Sequence, residues 1–204
     1  MKNVYLIGDS IRCGAGDASP SMGYGKLAAG LLADDFVVYQ PEENCRFCTY
    51  TFRHLPDWLK PAMRGNIDIV HWNNGLWDMA LTGPDFEPLV PIEFYKQTLP
   101  LIFRRIRYFC PQAKIIFALT TPVCEEGYRK AVSLKRTNAL IEEYNRAAIE
   151  VLSPLGVQFN DLYSLMKGSE ADAYADGKVH FKAAGCMKMA QQVAASIREA
   201  AAEE

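Results

Sequence analysis

Short apolar runs alternate with helix-like patterns along the whole chain, and this alternation limits the fold more than any other feature of the sequence. Five runs have the length and residue types of strands: Val4–Ile7, Phe36–Tyr39, Ile67–Trp72, Lys114–Leu119 and Val157–Phe159. The segments between them are long enough to form helices. This order predicts an α/β fold in which helices cover both faces of a parallel sheet.

Two of the intervening segments carry apolar residues at helical spacing, and we expect each helix to bury that stripe. The first stripe consists of Leu140, Tyr144, Ala148 and Val151, and the second of Met187, Ala190, Val193, Ala194 and Ile197. In a third pattern, from Phe94 to Phe109, Pro100 predicts a helix start or a kink. The longest irregular stretches, residues 81–91 and 167–179, are expected to be surface loops.

Length and charge point to one globular domain with a small partner. The chain has 204 residues, of which 50% are hydrophobic, and no Pro/Gly/Ser-rich linker divides it, so we expect a single domain over residues 1–204. Its 22 basic and 24 acidic residues form no long run of one sign, which argues against a nucleic-acid or anionic-membrane partner. The first strand follows Met1-Lys2-Asn3 directly and no apolar run reaches membrane-spanning length, so we expect a cytoplasmic protein.

Six cysteines are scattered through the chain, at positions 13, 45, 48, 110, 124 and 186. A chain of this length does not need disulfides to be stable, so reduced thiols are expected. Cys45-x-x-Cys48 is the one close pair, and no second pair or His-x-His cluster accompanies it. We therefore predict neither a metal site nor a redox pair.

The first strand leads into Gly8-Asp9-Ser10-Ile11. This order places the Ser10 hydroxyl at the carboxyl end of a parallel strand, where open sheets of this class bind ligands. Ser10 is therefore a candidate nucleophile. Two alternatives remain: Ser10 caps the following segment, or Gly8, Gly14 and Gly16 form a phosphate-binding loop, although neither glycine fingerprint for phosphate is present.

A second segment with residue types used in catalysis lies just before the last amphipathic helix. Its sequence is Asp176-Gly177-Lys178-Val179-His180. A neutral imidazole near Ser10 can accept its proton, and a carboxylate on the other ring nitrogen fixes the tautomer. His180 is the candidate base and Asp176 the nearest carboxylate, with Asp172 the next. We interpret the other two histidines, His54 and His71, as solvated or packed side chains.

The third strand ends in Trp72-Asn73-Asn74-Gly75-Leu76-Trp77-Asp78, on the same rim of the sheet as Ser10. Burying the side-chain amides of Asn73 and Asn74 costs free energy unless they form hydrogen bonds, so both side chains can have the structural role of bonding to the loop backbone. Beside a serine and a histidine, an amide can also donate to the oxygen on which negative charge develops during acyl transfer.

These segments together resemble the GDSL/SGNH hydrolases. Gly8 to Ile11 is similar to the Gly-Asp-Ser block of that family, Gly75 to Asp78 lies where its Gly-x-Asn-Asp block is expected, and Asp176 to His180 resembles its Asp-x-x-His block. The resemblance implies a three-layer α/β/α, flavodoxin-like fold with a five-stranded parallel sheet. It also implies a serine esterase with Ser10, His180 and Asp176 as a triad and an oxyanion hole, which needs no metal or organic cofactor.

The chain departs from the family pattern at three places. Trp77 occupies the position of the oxyanion asparagine, so we assign the donor to Asn74 and, second, to Asn73, together with Ser10. The block that normally supplies a glycine amide is Asn44 to Thr49, which contains no glycine. Asp176 precedes His180 by four residues instead of three. The residues expected to line the substrate site are Asp9, Asn44, Cys45, Arg46 and Trp77.

The leading functional hypothesis is hydrolysis of a small acyl ester, with an acetylated sugar favoured as substrate. Four aromatic residues in or near the matching blocks support the sugar: Tyr50, Trp58, Trp72 and Trp77. A lysophospholipase-like or thioesterase-like hydrolase is the alternative within the same chemistry. Two other classes are a non-catalytic ligand-binding module on the same fold and a nucleotide-binding protein of flavodoxin type.

Overall fold

The computed structural model describes residues 1–14, 22–59 and 66–203, so Gly16 lies outside the described residues. Its strands, in chain order, are β1 (Lys2–Ile7), β2 (Phe36–Tyr39), β3 (Ile69–Trp72), β4 (Leu81–Thr82), β5 (Glu87–Pro88), β6 (Lys114–Ala118) and β7 (Gln158–Asn160). The five expected strands are all present, with ends that differ from the predicted ones by at most two residues.

The main sheet has the strand order β2-β1-β3-β6-β7, and every pair in it is parallel. This is the order of flavodoxin-like folds, which confirms the predicted fold class. In the register, Ile7 of β1 is paired with Trp72 of β3, and Trp72 with Phe117 of β6. The carboxyl ends of these three strands therefore form one rim, and the segments after β1 and β3 meet there.

Seven α-helices complete the described chain: α1 (Ser10–Cys13), α2 (Gly25–Leu32), α3 (Cys48–Trp58), α4 (Ile92–Phe109), α5 (Asn138–Leu152), α6 (Leu162–Met166) and α7 (Ala183–Ala202). Helix α7 packs against α2 and α6 and contacts β3 and β7, whereas α4 packs against both α3 and α5. The helices thus form the two outer layers of a three-layer fold. No helix in the described part of the chain is long and apolar enough to cross a membrane.

Two details of the predicted helices were wrong. In α5 the fully buried stripe includes Ile141 and Leu152, whereas Leu140 and Val151 are half-buried, so the stripe is turned by about one residue. In α7, Met187 is exposed while the other members of the predicted stripe are buried. A helix buries the face that its neighbours cover, and spacing alone does not locate the centre of that face.

Pro100 lies inside α4, so the helix start predicted there is wrong, and residues 81–91 are not wholly irregular. Helix α4 continues through Pro100 without a break, because packing of the fully buried Leu99 and Ile102 outweighs one missing backbone hydrogen bond. Residues 81–91 contain the antiparallel pair β4–β5, and Leu81 forms two further backbone hydrogen bonds with Lys135.

Candidate active site

Ser10 stands at the turn between β1 and α1. The carboxylate of Asp9 caps this short helix by accepting a hydrogen bond from the Ile11 N–H at 2.9 Å. Ser10 is the first residue of the helix, so its backbone N–H has no partner within the helix. The turn therefore presents both a hydroxyl and a backbone donor at the rim of the sheet.

His180 lies beside Ser10 although the two residues are 170 positions apart in the chain. The distance from His180 Nε2 to Ser10 Oγ is 2.9 Å, and the distance from His180 Nδ1 to Asp176 Oδ2 is 2.6 Å. The structure thus brings the three residues of the predicted triad into one hydrogen-bonded series. In this arrangement Nδ1 can donate to the carboxylate while Nε2 accepts from the serine.

The second oxygen of Asp176 is held by the backbone of its own turn. Asp176 Oδ1 accepts hydrogen bonds from the N–H groups of Lys178, Val179 and His180 at 2.8, 2.9 and 3.1 Å. Burial favours a raised pKa for Asp176, but the hydrogen bonds from the His180 ring and these three N–H groups hold its pKa well below the ordinary value. The carboxylate is therefore ionised at neutral pH, and the four-residue spacing is compatible with contact to the histidine.

Neither predicted side-chain amide has a free hydrogen in this structure. Asn74 is fully buried, and its Nδ2 donates to Arg46 O at 3.0 Å and Thr51 Oγ1 at 2.9 Å. Asn73 Nδ2 donates to Ala118 O at 2.8 Å and lies 3.5 Å from Thr120 Oγ1. Buried amides need such partners, so these contacts count against both residues as oxyanion donors.

Several backbone N–H groups of the segment Asn44 to Thr49 already donate hydrogen bonds to other groups of the protein. The Cys45 N–H donates to Gly8 O at 3.1 Å, the Arg46 N–H to Asn44 Oδ1 at 2.8 Å, and the Cys48 N–H to Asp78 Oδ1 at 2.8 Å. These three N–H groups are thus not free to bind an oxyanion.

The residues predicted to line the substrate site divide into two groups. Asp9 and Cys45 are buried, at 1% and 0% exposure, which counts against direct contact with substrate, and their role stays a prediction. Asn44 and Trp77 are half-buried and Arg46 is exposed, and for these three the role stays a prediction. Trp72 is fully buried and donates its Nε1–H to Asn74 Oδ1, so it cannot face a sugar ring.

Sequence reasoning missed Arg12, which ties the Ser10 turn to the following loop. Its buried guanidinium donates hydrogen bonds to the carbonyl oxygens of Gly8 at 3.2 Å, Pro41 at 3.0 Å and Glu43 at 2.6 Å. The signal in the sequence is weak, since a charged residue two positions after a serine usually lies in solvent.

Arg136 was also missed, and it lies against the segment that follows β3. Its side chain is buried, and Nε donates to Leu76 O at 2.6 Å. Nη1 is 3.1 Å from both Tyr128 Oη and Leu134 O, and the guanidinium carbon is 5.7 Å from the centre of the Trp77 ring. Arg136 therefore helps to fix the position of Leu76 and Trp77.

Within the described residues, no three His, Cys, Asp or Glu side chains are grouped as metal ligands. None of the six cysteines, all of which the structure describes, forms a disulfide, and Cys45 and Cys48 are both buried. Burial raises the pKa of the Cys45 thiol to about 11, which keeps it protonated at neutral pH.

Two sequence comparisons bear on this site. Residues 6–187 match the GDSL-like Lipase/Acylhydrolase family. The chain is 28% identical over 119 residues to the isoamyl acetate-hydrolyzing esterase 1 homolog of Bos taurus, covering 54% of the chain but 48% of that relative. It is 26% identical over 196 residues to the Mus musculus homolog, covering 89% of the chain and 76% of the relative. The match thus spans about half of the bovine relative's length.

Solved structures with the same fold include two hydrolases. The lipase/acylhydrolase from Enterococcus faecalis superposes with a TM-score of 0.75 at 18% identity, covering 98% of this chain and 96% of that one. The acetylxylan esterase Axe2 from Geobacillus stearothermophilus gives a TM-score of 0.72 at 18% identity, covering 99% and 95%. At these identities the superpositions establish the fold, and the match over residues 6–187 establishes the relationship: the chain belongs to the GDSL-like lipase/acylhydrolase family.

Proposed function

We propose that the protein is a serine esterase that hydrolyses small acetate esters with Ser10 as nucleophile, His180 as base and Asp176 as the orienting acid. The observation that carries this proposal is the series of two hydrogen bonds, 2.6 Å from Asp176 to His180 and 2.9 Å from His180 to Ser10. These distances and this order of groups are what nucleophilic acyl transfer requires.

In the first half of the reaction, Ser10 Oγ forms a bond to the ester carbonyl carbon while its proton moves to His180 Nε2. The electron pair of the carbonyl double bond moves to the carbonyl oxygen, and the Ser10 N–H is placed to donate to that oxygen. The tetrahedral intermediate then expels the alcohol, which takes the proton from His180. Water repeats the sequence on the acyl-enzyme and releases the carboxylic acid.

The preference for an acetate ester rests on names of relatives and on the site. Isoamyl acetate, in the name of the bovine and mouse relatives, is a small acetate ester. Trp77 is half-buried, and a bulky side chain of this kind, if it lines the site as predicted, leaves room for only a short acyl group.

A carbohydrate acetate is a second candidate substrate. The rings of Tyr50 and His54 are 4.2 Å apart on α3, and both side chains are half-buried and so partly open to solvent. Partly exposed rings of this kind can pack against a sugar. Axe2, whose fold this chain shares, is an acetylxylan esterase.

The test is turnover of aryl esters with acyl chains of increasing length, followed by acetylated sugars. We expect the acetate ester to give the highest kcat/KM, and Ser10→Ala and His180→Ala each to remove nearly all activity, because nucleophile and base act as one unit. Ser133→Ala, at an exposed serine, is the matched control for Ser10→Ala. If Ser10→Ala kept within about tenfold of the wild-type kcat, the nucleophile would be wrong. A wild type without turnover would indicate a non-catalytic module.

A further inference from the structure

The Arg136 guanidinium is a buried cation without a carboxylate partner. Its residue is 6% exposed, and no carboxylate oxygen in the described part of the chain lies within 4.0 Å of it. Burying an ion without a counter-charge is expensive, and neutral donors suffice to satisfy carbonyl oxygens. The similarly buried Arg12 also has no carboxylate partner within the described ranges, but each of its three guanidinium nitrogens donates a hydrogen bond, so the two arginines are distinguished by their free donors.

An account of its five N–H donors leaves one nitrogen free. Nε donates to Leu76 O, and Nη1 contacts Tyr128 Oη and Leu134 O. Nη2 has no hydrogen-bond partner among the described residues. Both N–H groups of Nη2 are thus available to a group that the free protein does not contain.

The guanidinium contacts both the segment that follows β3 and a turn that is linked to the loop of Asp176 and His180. On one side it holds Leu76 and Trp77, which follow β3 at the rim of the sheet. On the other side it contacts Tyr128, the last residue of a short 3₁₀ turn (Glu125–Tyr128). This turn is linked to the loop of Asp176 and His180, because the Cys124 N–H donates a hydrogen bond to Lys178 O at 2.8 Å.

The electrostatics of Asp9 support this placement. Burial raises the pKa of Asp9, and the charges of His180, Arg136 and Arg12 act against that rise. The field of Arg136 therefore reaches the residue that immediately precedes Ser10.

The site also lacks the side-chain donors that acyl transfer normally uses. The amide hydrogens of Asn73 and Asn74 are occupied, as are the backbone N–H groups of Cys45 and Arg46. Of the donors named so far the Ser10 N–H remains, and a single N–H leaves much of the negative charge on the carbonyl oxygen unbalanced. A missing donor and an unpaired cation therefore occur on the same rim.

We infer that Arg136 supplies the positive charge that stabilises the oxyanion formed when Ser10 attacks the ester. The inference rests on the proposed esterase function. Electrostatic stabilisation of this kind acts where charge develops in the transition state, so it affects kcat more than KM.

The experiment compares Arg136→Met, which removes the charge at similar length, with Arg136→Lys, which keeps the charge but loses the planar fork. On an aryl acetate we expect Arg136→Met to lower kcat about 100-fold with KM within about threefold, and Arg136→Lys to lower it about tenfold. A second readout is the rate at which a 4-nitrophenyl phosphonate modifies Ser10, followed by intact mass. In that step the Oγ–P bond forms, 4-nitrophenolate leaves, and the hydroxyl proton goes to His180, so charge again develops on an oxygen bound to the attacked atom.

Two control variants separate charge from structure. Tyr128→Phe removes the hydroxyl that contacts Nη1 but leaves the cation, and we expect a kcat within about threefold of wild type. Arg105→Met removes an arginine with similar contacts. Arg105, on α4, donates to the carbonyl oxygen of Phe52 on α3, and its guanidinium carbon lies 3.6 Å from the centre of the Phe52 ring. That variant should leave kcat unchanged. Thermal unfolding shows which variants are folded.

The outcomes are distinct. A folded Arg136→Met with kcat and phosphonylation rate within threefold of wild type overturns the inference and leaves the esterase proposal intact. A rise in KM for anionic esters alone also overturns it, because that result marks Arg136 as a binder of substrate charge. If Arg136→Met does not fold, Arg136→Gln replaces it as the neutral variant, and a folded Arg136→Gln with kcat within threefold of wild type overturns the inference. If wild-type Ser10 neither turns over esters nor reacts with the phosphonate, the esterase proposal fails, and this inference with it.

Discussion

Asp176 does two tasks with its two oxygen atoms. Oδ1 accepts three backbone N–H groups and so shapes the turn, while Oδ2 faces His180 Nδ1 at 2.6 Å. Gly177 is in the left-handed region at φ 66°, which lets the turn fold back on the carboxylate. One side chain thus both builds the loop and selects the tautomer of the base.

Replacing Asp176 by Asn should lower kcat roughly 100-fold or more with little change in KM. The Asn Oδ1 can keep the three N–H groups, which places its Nδ2 amino group against His180 Nδ1. That amino group donates, so Nδ1 must accept, and the ring proton moves to Nε2, which can then no longer accept from Ser10. Steady-state kinetics on an aryl acetate measure the effect. Asp172→Asn, at an exposed position, is the control, and equal rates for Asp176→Asn and wild type would point to another acid.

At the scale of elements, the loop of Asp176 and His180 depends on a neighbour that was not identified from the sequence. The 3₁₀ turn Glu125–Tyr128 packs so closely against the loop of Asp176 and His180 that a Cβ added at Gly127 would lie 1.9 Å from the Gly177 carbonyl oxygen. No side chain fits there without moving the loop.

Gly127→Ala should therefore lower kcat by about tenfold or more by displacing the Asp176 to His180 loop, since small errors in the position of a base are costly. It should also lower the melting temperature. Gly30→Ala is the matched control, because a Cβ there meets no atom within 4 Å and alanine favours the interior of α2 by up to about 1 kcal/mol. If Gly127→Ala matched Gly30→Ala in kcat, the loop would tolerate the shift.

The fold could be predicted from the sequence because its strands carry local signals. Each strand is a short apolar run between turn residues, and the alternation with helices indicates a parallel sheet. Ser10 and His180 could be assigned because each follows or precedes a recognisable element. The hairpin β4–β5 could not, since strands of two residues have no periodicity.

The hydrogen bonds of Asn74 and Arg136 could not be predicted either, because they are formed with partners that are distant in sequence. Asn74 contacts Thr51, 23 positions away, and Arg136 contacts Leu76, 60 positions away. The donor state of a buried amide is set by such tertiary contacts, which a strand-end position does not specify.

At the scale of the whole molecule, the pH dependence of stability includes two carboxyl groups whose pKa values are shifted in opposite directions in the folded protein. Asp176 has a lowered pKa, so its contribution is present above the pKa of the unfolded chain and is lost as pH falls through the folded value. Asp78 is fully buried, and burial raises its pKa to about 6 although its Oδ1 accepts the Cys48 N–H. Its Oδ2 has no partner among the described residues.

The sign for Asp78 follows from proton binding. Between about pH 4, near the pKa of an unfolded aspartate, and about pH 6, the folded state holds a proton that the unfolded state has lost. Stability from this group is therefore fully present at low pH and falls as pH rises through that window, by about 3 kcal/mol in total. Above about pH 6 the folded protein carries a buried carboxylate.

Replacing Asp78 by Asn removes the titration of this side chain while it keeps an oxygen acceptor for the Cys48 N–H. Urea unfolding of both proteins between pH 4.5 and 7.5 should show the free energy of unfolding of Asp78→Asn gaining about 2 kcal/mol relative to wild type as pH rises, since the rest of the change lies below pH 4.5. Asp85→Asn, at an exposed carboxylate, should show no such trend. A difference between Asp78→Asn and wild type that stays constant across this range would mean that Asp78 does not titrate there in the folded protein.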